Sequence, residues 1–558
     1  MVSTPGLRGS LTRMEHSTWT RRGLMAGGTA LALAAGACGP KHSGRTLSTA
    51  DAHTLNRGNG AEPDTIDPHK ASGNWENNII GDMFVGLMTD APDGSAIPGA
   101  AESFTVSPDG LVYTFKLRAH AWSDGKPVTA HDFVFSYRRM ADPKTAAQYV
   151  SILYPIRNMA EAAAGKVKPD QVGARALDDQ TLELTFLYQV PYIRELLTHY
   201  TAFAVPQHVV EKHGEDWTRA EHIVGNGPYV LKEWIPNDHI RLAKNPRFFD
   251  AANVAVETVN YYPTQDSAAA LKRFRAGEFD LVTDSVPPQQ INWLKQNMPN
   301  ELRLAPYILS QYVQFNLGRK PFDDARVRLA LSLAINREIL AQKVLRAGEQ
   351  PSYVLVPPGM PGYRGGELTF RKQPMAHRVA RARALLEQSG HGASNPLTFD
   401  LNTSNVTESR LVSVALQGMW NDIGVKARLM PYDSQIHYAM LRKRDFDATW
   451  AGWIADYRDA KNYLTLFQTA TTDLNYGGYS NPKFDALVTA SDQERDPAAR
   501  EALLRQAEQI LLDDVAIAPG YLGVTRNLVS PQVKGFVSDN VNIHRSRYLS
   551  LDRNDRTA

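Results

Sequence analysis

The sequence contains one cysteine, Cys38, among its 558 residues. A single thiol excludes an internal disulfide and the paired thiolates that hold a structural zinc ion. We therefore expect the fold to be stabilised by packing and hydrogen bonding alone.

Common catalytic and nucleotide-binding patterns are also absent. The chain contains no H-E-x-x-H, no G-x-S-x-G, no Walker loop and no G-x-G-x-x-G. Its 15 histidines are scattered, and His208 and His213 lack a third ligand at a metal-binding spacing. We expect no cofactor, no metal ion and no catalytic residue, which argues against an enzyme.

The sequence has neither a strong net charge nor a second long apolar run. Lys and Arg number 61 against 59 Asp and Glu, so the surface is close to neutral. A neutral surface argues against nucleic acid as the partner. After residue 37 no apolar run reaches the roughly 20 residues that a membrane-spanning helix needs. A chain of this length predicts two or three subdomains.

The N-terminal residues 1–37 have the pattern of an export signal. Arg21 and Arg22 form a paired-arginine run typical of the Tat route, although such arginines also suit ordinary secretion. A short stretch of Ala, Leu and Gly follows over residues 26–37 and ends directly before Cys38. We expect the mature protein to work outside the cytoplasm, in the periplasm.

The position of Cys38 has two interpretations. Lipid attachment to its thiol after cleavage would anchor the protein to the membrane, but Ala35 stands where the lipidation signal usually has leucine. Residues 35–37 (AGA) also suit the ordinary signal peptidase, which would leave a freely diffusing protein. In either case the small, polar residues 38–51 predict a flexible leader.

From residue 52 onward the chain alternates predicted strands and helices, which is typical of an α/β protein. Residues 113–117 and 182–186 alternate apolar and polar side chains, as half-buried strands do. Helical spacing of apolar residues recurs over residues 325–343, 376–388 and 498–512. The last of these follows Asp496 and Pro497, the residue types that begin a helix.

Several motifs, in order along the chain, resemble those of a known family. They include residues 55–69 (LNRGNGAEPDTIDPH), 82–87 (DMFVGL), 122–132 (WSDGKPVTAHD), 226–229 (NGPY), 322–328 (FDDARVR) and 452–457 (GWIADY). Over about residues 52–550 the chain resembles the family 5 extracellular solute-binding proteins. It is most similar to the periplasmic oligopeptide-binding receptors of ABC importers.

The resemblance implies an α/β periplasmic-binding-protein class II fold. In this fold two lobes enclose a ligand cleft, and an extra domain is inserted in one lobe. Matched segments place lobe I in residues 52–85, 209–308 and 524–558. The inserted domain would be residues 86–208, and lobe II would be residues 309–523.

The resemblance also implies a role for Asp456. In the family, the aspartate of G-W-x-A-D-Y holds the α-amino group of the ligand, and here that residue is Asp456. A buried ammonium is costly unless it is paired, and a carboxylate fixed beside Trp453 and Tyr457 is a charge-assisted partner. The alternative is that Asp456 only caps a turn.

The backbone of a bound peptide would pair with strand edges of the receptor, independently of the peptide's sequence. By resemblance, the two edges are formed by Ser72, Gly73 and Asn74 and by Gly452, Trp453 and Ile454. The two glycines would permit a close approach. Aromatic side chains that match or neighbour cleft positions of the family are Tyr149, Tyr312, Trp453 and Tyr521.

One departure from the family leaves the ligand's length open. Family members that fix the peptide carboxylate use an arginine three residues before the tryptophan of G-W, and Trp450 stands there in this chain. Arg410, Arg442 and Arg444 lie in neighbouring segments and could substitute. A murein peptide and a longer oligopeptide are both alternatives.

The resemblance therefore implies the substrate-binding component of an ABC importer. It would capture oligopeptides by hinge closure and dock on an inner-membrane permease. We expect a monomer, because one ligand in a closing clamp needs no symmetry mate. The alternatives are a family 5 receptor for a nickel chelate, a sugar or an opine, and a secreted peptide hydrolase.

Overall fold

The computed structural model describes residues 52–283, 285–472 and 474–553. The predictions for residues 1–37 with Arg21 and Arg22, for Cys38 and for residues 38–51 lie outside the described residues. Of the helices that are described, none is long and apolar enough to cross a membrane.

The strands are β1 Thr54–Gly58, β2 Met88–Asp90, β3 Ala96–Pro98, β4 Ala101–Val106, β5 Val112–Leu117, β6 Ala174–Asp178, β7 Thr181–Thr185, β8 Tyr229–Ile235, β9 His239–Lys244, β10 Thr258–Tyr262, β11 Leu281–Val282, β12 Leu302–Phe315, β13 Gln350–Pro351, β14 Thr398–Ser404, β15 Lys426–Tyr432, β16 Ala448–Ile454, β17 Ile517–Val529, β18 Val533–Lys534 and β19 Ser550–Leu551.

The α-helices are α1 Asn74–Met83, α2 Ala130–Ala141, α3 Met159–Ala163, α4 Ile193–Leu196, α5 Gln207–His213, α6 Ser267–Arg275, α7 Ile291–Asn297, α8 Ala325–Ala334, α9 Arg337–Ile339, α10 Met375–Gln388, α11 Thr407–Asn421, α12 Ser434–Arg442, α13 Lys461–Leu464, α14 Pro482–Gln493 and α15 Pro497–Asp513.

Eleven of these strands form one sheet that runs through both predicted lobes. Its order is β15-β14-β16-β12-β17-β11-β1-β10-β9-β8, with β13 paired to β17. The long antiparallel strands β12 and β17 join the two halves, and their register shifts between Pro306 and Ser310. This shift coincides with the predicted boundary after residue 308, and the lobe boundaries stay a prediction.

The region from residue 86 to residue 208 carries a separate antiparallel sheet of order β4-β5-β7-β6. Its hydrophobic core is continuous with that of lobe I. Phe115 and Phe133 from this region belong to the same buried cluster as Leu55 and Tyr261 from lobe I. The inserted region therefore shares its packing with the lobe beside it.

Lobe II has two cores because its part of the sheet is covered on both faces. Successive side chains of a strand point to opposite faces. In β12, Val313 belongs to one core with Trp420, and Tyr312 belongs to the other with Tyr463 and Leu511. Lobe II is thus three layers thick, which is typical of an α/β domain.

Local sequence patterns predicted several elements correctly. The predicted strands correspond to β5 and β7, and two predicted helices correspond to α10 and α15. The Asp496 carboxylate caps α15 by accepting a hydrogen bond of 2.8 Å from the backbone N–H of Ala499. Helix α10 is followed by Gly390 at φ +86°, a conformation that favours glycine.

The prediction of one continuous helix over residues 325–343 is wrong. Helix α8 ends at Ala334, and Ile335 is extended with ψ of 116°. The Asn336 side chain then caps the short helix α9 by accepting a hydrogen bond from the N–H of Ile339. Leu340–Leu345 continues as a π-helix. The apolar spacing continues through this break, so the spacing alone could not reveal where the helix ends.

Candidate functional site

A cavity of about 310 Å³ lies where the two lobes and the inserted region meet. Tyr307 and Ile308 line it at the register shift of β12. Six of the predicted binding residues also line it, namely Ser72, Gly73, Asn74, Tyr149, Ile454 and Asp456. The fold therefore brings together residues that are far apart in the sequence.

Four other predicted binding residues do not line this cavity. Tyr312 and Tyr521 are 4% and 6% exposed and lie in the two cores of lobe II. Gly452 faces the side chain of Gln311, and a Cβ added at this glycine would lie 2.6 Å from Gln311 Cδ. Trp453 packs against the core that contains Tyr312. Tyr312 and Tyr521 are buried on paired central strands, whereas Gly452 and Trp453 are partly exposed.

The position at which the resemblance implied a carboxylate-binding arginine is a core position here. Trp450 is 2% exposed, and its ring lies 5.7 Å from that of Tyr521. Arg410, Arg442 and Arg444 are exposed and lie outside the cavity. None of them replaces the missing arginine within the cavity.

Asp456 lies two residues after the end of β16, in the segment that leads to α13. Among the described side chains, only Asn462 hydrogen-bonds to its carboxylate, with 3.4 Å from Nδ2 to Oδ2, and no basic side chain pairs with it. Burial raises the pKa of Asp456 to about 6, although the hydrogen bond from Asn462 opposes this rise. Asp456 is partly exposed where it faces the cavity, and a largely desolvated carboxylate without a cation is costly, so the site favours a positively charged group.

Asn462 is a residue of the site that the sequence analysis missed. Its Oδ1 accepts hydrogen bonds from Trp453 Nε1 at 2.7 Å and from the backbone N–H of Asp456 at 3.2 Å. One amide therefore fixes the carboxylate, the backbone beside it and the indole. No local pattern marked Asn462, because its partners precede it by six or more residues across a turn.

An aromatic wall stands opposite Asp456, and the sequence analysis found only Tyr149 in it. The His199 ring lies 6.0 Å from the Tyr149 ring and 4.2 Å from the Tyr200 ring. Burial lowers the pKa of His199 to about 3, so its imidazole is neutral at physiological pH. Burial also raises the pKa of Tyr149, and the negative charge of Asp456 raises it further. This wall is therefore uncharged.

The loop before α1 has its geometry fixed by Glu76. The Glu76 carboxylate accepts hydrogen bonds from the backbone N–H groups of Ser72 at 2.8 Å and Gly73 at 2.7 Å. The Gly73 carbonyl accepts from the N–H of Asn77. Of the three predicted main-chain positions, this leaves the Ser72 carbonyl and the Asn74 N–H for a ligand. Gly73 is required, because a Cβ there would lie 2.5 Å from the Trp75 ring.

The second predicted edge belongs to β16. On one side, β16 pairs with β12 along its whole length. On the other side, its recorded pairing with β14 covers only Ala448 and Thr449. Among the described residues, no strand pairs with the Gly452–Ile454 part of this edge, which leads directly to Asp456.

Clusters that could hold a metal ion were sought across the described part of the chain. No group of three or more His, Cys, Asp or Glu side chains has a suitable arrangement there. Besides Asp456, the cavity is lined by Glu195 and Arg458, by main-chain groups and by aromatic rings. Among the described residues no cation pairs with Asp456, so its carboxylate suits a positively charged organic group.

A two-lobed α/β protein with a cavity between its lobes has the architecture of a ligand-binding protein, and solved peptide-binding relatives with the same fold confirm the expected fold class. Residues 95–475 match the family described as Bacterial extracellular solute-binding proteins, family 5 Middle. The chain belongs to this family, as the resemblance implied.

Curated and solved relatives agree with this membership. The chain is 38% identical to the periplasmic oligopeptide-binding protein OppA of Salmonella typhimurium, over 93% of this chain and 96% of that protein. The structure of Haemophilus influenzae OppA in complex with RPPGFSPFR matches with a TM-score of 0.76 and 33% identity, over 89% of this chain and 99% of that chain. The structure of the Escherichia coli murein tripeptide binding protein MppA matches with a TM-score of 0.77 and 31% identity, over 89% of this chain and 98% of that chain.

Proposed function

We propose that this protein is the extracytoplasmic substrate-binding component of an ABC importer and that it binds oligopeptides through their free amino terminus. The observation that carries the proposal is the Asp456 carboxylate, which lines the cavity without a basic partner among the described residues. An α-ammonium brings one positive charge and three donors, which this carboxylate can accept.

The main chain beside Asp456 supports an extended ligand. A peptide that begins at Asp456 and lies along β16 finds the unpaired edge of Gly452–Ile454. Across the cavity, the Ser72 carbonyl and the Asn74 N–H are available to the same ligand. Main-chain pairing of this kind gives affinity without sequence specificity. Gly452, Trp453 and Ile454 would act through their backbone.

Closure of lobe I on lobe II would enclose the peptide, with residues 52–85, 209–308 and 524–558 moving relative to residues 309–523. Strands β12 and β17 connect these parts, and the register shift at Pro306 marks the hinge that we propose. Hinge closure around a ligand at connecting segments is a common mechanism of binding proteins. The inserted region, residues 86–208, would move with lobe I because the two share a core.

The relatives support the remaining parts of the proposal. Proteins named periplasmic oligopeptide-binding proteins match over nearly the whole chain. We therefore propose a periplasmic, non-catalytic monomer that delivers peptides to an inner-membrane permease. Intact-mass measurement of the mature N-terminus would show whether Cys38 carries a lipid anchor.

The test compares short mixed-sequence peptides with their N-acetylated forms by titration calorimetry. Acetylation removes the ammonium and leaves the protein unchanged. We expect the free peptides to bind more than tenfold more tightly, and we expect Asp456→Asn to abolish this difference. Equal affinity of the wild-type protein for both forms would contradict the proposal.

The same measurements distinguish the alternative ligands. A nickel chelate, a sugar or an opine has no obligatory α-ammonium, so binding of such a ligand would be nearly unaffected by Asp456→Asn. A secreted peptide hydrolase would need a nucleophile with its base or a metal. Mass spectrometry of peptides after incubation with the protein should find them intact, and cleavage products would contradict a purely binding role.

A further inference from the structure

The segment that carries Asp456 connects two hydrophobic cores. Ala455 and Ala460 are 6% and 3% exposed and belong to a core of lobe II. Between them, Tyr457 packs against the core shared by lobe I and the inserted region. Asp456 therefore lies between an anchor in lobe II and a side chain that contacts the opposite body.

The inserted region provides the contact for Tyr457. The rings of Tyr192 and Tyr457 are stacked, with 4.9 Å between centroids and an interplanar angle of 2°. Tyr192 is 3% exposed and directly precedes α4. A stacked aromatic pair is stabilising beyond the apolar area that it buries. This pair crosses from residues 86–208 to lobe II.

Two cations of lobe II enclose the Tyr192 ring. Lys461 Nζ lies 5.5 Å from the centroid of Tyr192 and 4.7 Å from that of Tyr188. Arg500 Cζ lies 5.7 Å from the centroid of Tyr192. Cations at these distances are attracted to the face of an aromatic ring.

The same two cations are fixed by carboxylates of lobe II. Lys461 Nζ donates to Asp492 Oδ1 at 2.6 Å, and Arg500 forms a bidentate pair with Asp459 at 2.8 and 2.9 Å. Because these partners hold them in place, Lys461 and Arg500 form a preorganised receptor for the Tyr192 ring. Asp459 also belongs to the segment that carries Asp456.

We infer that Tyr192 is a positioning residue for the ligand's amino terminus. Its stacking on Tyr457 holds Asp456 at the cavity, so the ammonium site is complete only while the inserted region contacts lobe II. Asn462 fixes Asp456 from within lobe II, and Tyr192 fixes it from across the cleft. The inference rests on the proposed function and adds a coupling between lobe contact and recognition of the ammonium.

The test measures the ratio of affinities for free and N-acetylated peptides in Tyr192→Leu. Loss of the stack should lower the affinity for free peptides about tenfold, the upper range for an aromatic pair, mainly through faster dissociation. N-acetylated peptides do not use Asp456, so their affinity should change little and the ratio should fall. Tyr192→Phe keeps the ring and should retain the wild-type ratio.

A matched control is Phe104→Leu, because Phe104 packs on Phe115 at 5.3 Å inside the inserted region. This variant should lose stability but keep the wild-type ratio. Tyr457→Leu tests the stack from the other side, and the double variant with Tyr192→Leu should be no worse than either single variant. Tyr457→Leu alone also provides the test if Tyr192→Leu does not fold.

The outcomes separate the two proposals. If the wild-type protein binds free and N-acetylated peptides equally, the proposed function fails whatever Tyr192 does. If the wild-type protein discriminates and Tyr192→Leu and Tyr457→Leu keep that ratio, or weaken both ligands equally, only the positioning role is overturned.

Discussion

Asp456 shows how a binding residue differs from a structural one. Several buried or partly buried carboxylates in the described part of the chain have a guanidinium or ammonium partner, as Asp459 has in Arg500 and Asp492 has in Lys461. Others, such as Glu508, accept hydrogen bonds from backbone N–H groups instead. Asp456 has only the amide of Asn462. Burial consequently raises its pKa to about 6, and this destabilised charge is the property that a cationic ligand can exploit.

The raised pKa predicts a pH dependence of peptide binding. Only the ionised carboxylate pairs with an ammonium, so affinity should be constant from about pH 6.5 to 7.5 and should fall as the pH drops through about 6. The loss should approach tenfold for each further pH unit. Burial raises the pKa of Tyr149, Tyr200 and Tyr463, which face Asp456, so these groups do not titrate in this range.

Titration calorimetry at a series of pH values measures this dependence. Asp456→Asn is the control. Any pH dependence that its weak binding retains would come from other groups of the cavity, such as Glu195, whose pKa is raised by burial. A wild-type affinity that stays constant down to pH 5 would show that the charge of Asp456 does not contribute to binding.

Asn462 offers a second prediction at the scale of the residue. Asn462→Asp keeps an acceptor for Trp453 Nε1 and for the backbone of Asp456, but it adds a carboxylate beside Asp456. A neighbouring like charge raises a pKa further. The pH at which binding is half lost should therefore move above 6. The unfolding temperature should fall, because Asn462 is buried and the new carboxylate has no cation beside it. An unchanged midpoint would contradict this role of Asn462.

At the scale of the element, a buried glutamate on helix α15 fixes a loop of lobe II. The Glu508 carboxylate is fully buried and accepts hydrogen bonds from the backbone N–H groups of Leu355, Val356 and Gly366 and from the Tyr363 hydroxyl, at 2.6 to 2.8 Å. The apolar spacing predicted this helix and its Asp496 cap. The same spacing could not show that a glutamate on the buried face organises a loop more than 140 residues away.

Glu508→Ala should lower the free energy of unfolding by about 3 kcal/mol or more, because each buried donor left without a partner costs roughly 1–3 kcal/mol. Chemical denaturation measures this change. Glu501→Ala, one side of an i,i+4 ion pair on the same helix, is the control and should cost less than about 1 kcal/mol. Equal losses in the two variants would contradict the bridging role of Glu508.

At the scale of the whole molecule, the cores do not follow the predicted domains. Residues 86–208 form their own sheet, but their buried side chains continue into the core of lobe I. Ion pairs reinforce this junction, since Arg545 donates to Asp90 at 2.8 Å and Arg139 donates to Asp67 at 2.6 Å. The inserted region and lobe I therefore depend on each other for burial.

We predict that residues 86–208 do not fold when they are expressed alone. Separation from lobe I would expose part of the buried cluster that the two regions share. Circular dichroism and the dispersion of amide NMR signals should indicate an unfolded or loosely packed chain. Cooperative thermal unfolding of the isolated fragment would show that it is an independent domain.

The sequence by itself determined the features that depend on local patterns. The family and the role expected of Asp456 came from the resemblance of the ordered motifs, whereas strand alternation and helix caps predicted the α/β class. These features are readable because propensity, periodicity and capping involve residues a few positions apart. The break at Ile335 was missed because apolar spacing does not record where a backbone turns.

Only the tertiary structure decided which residues complete the site. It brought His199 and Tyr200 to the cavity and bonded Asn462 to Asp456. It also placed Tyr312, Trp450 and Tyr521 in cores and stacked Tyr192 on Tyr457. The physical reason is that burial and long-range contact depend on the packing of distant elements. No local pattern encodes that an aspartate has been buried without a cation.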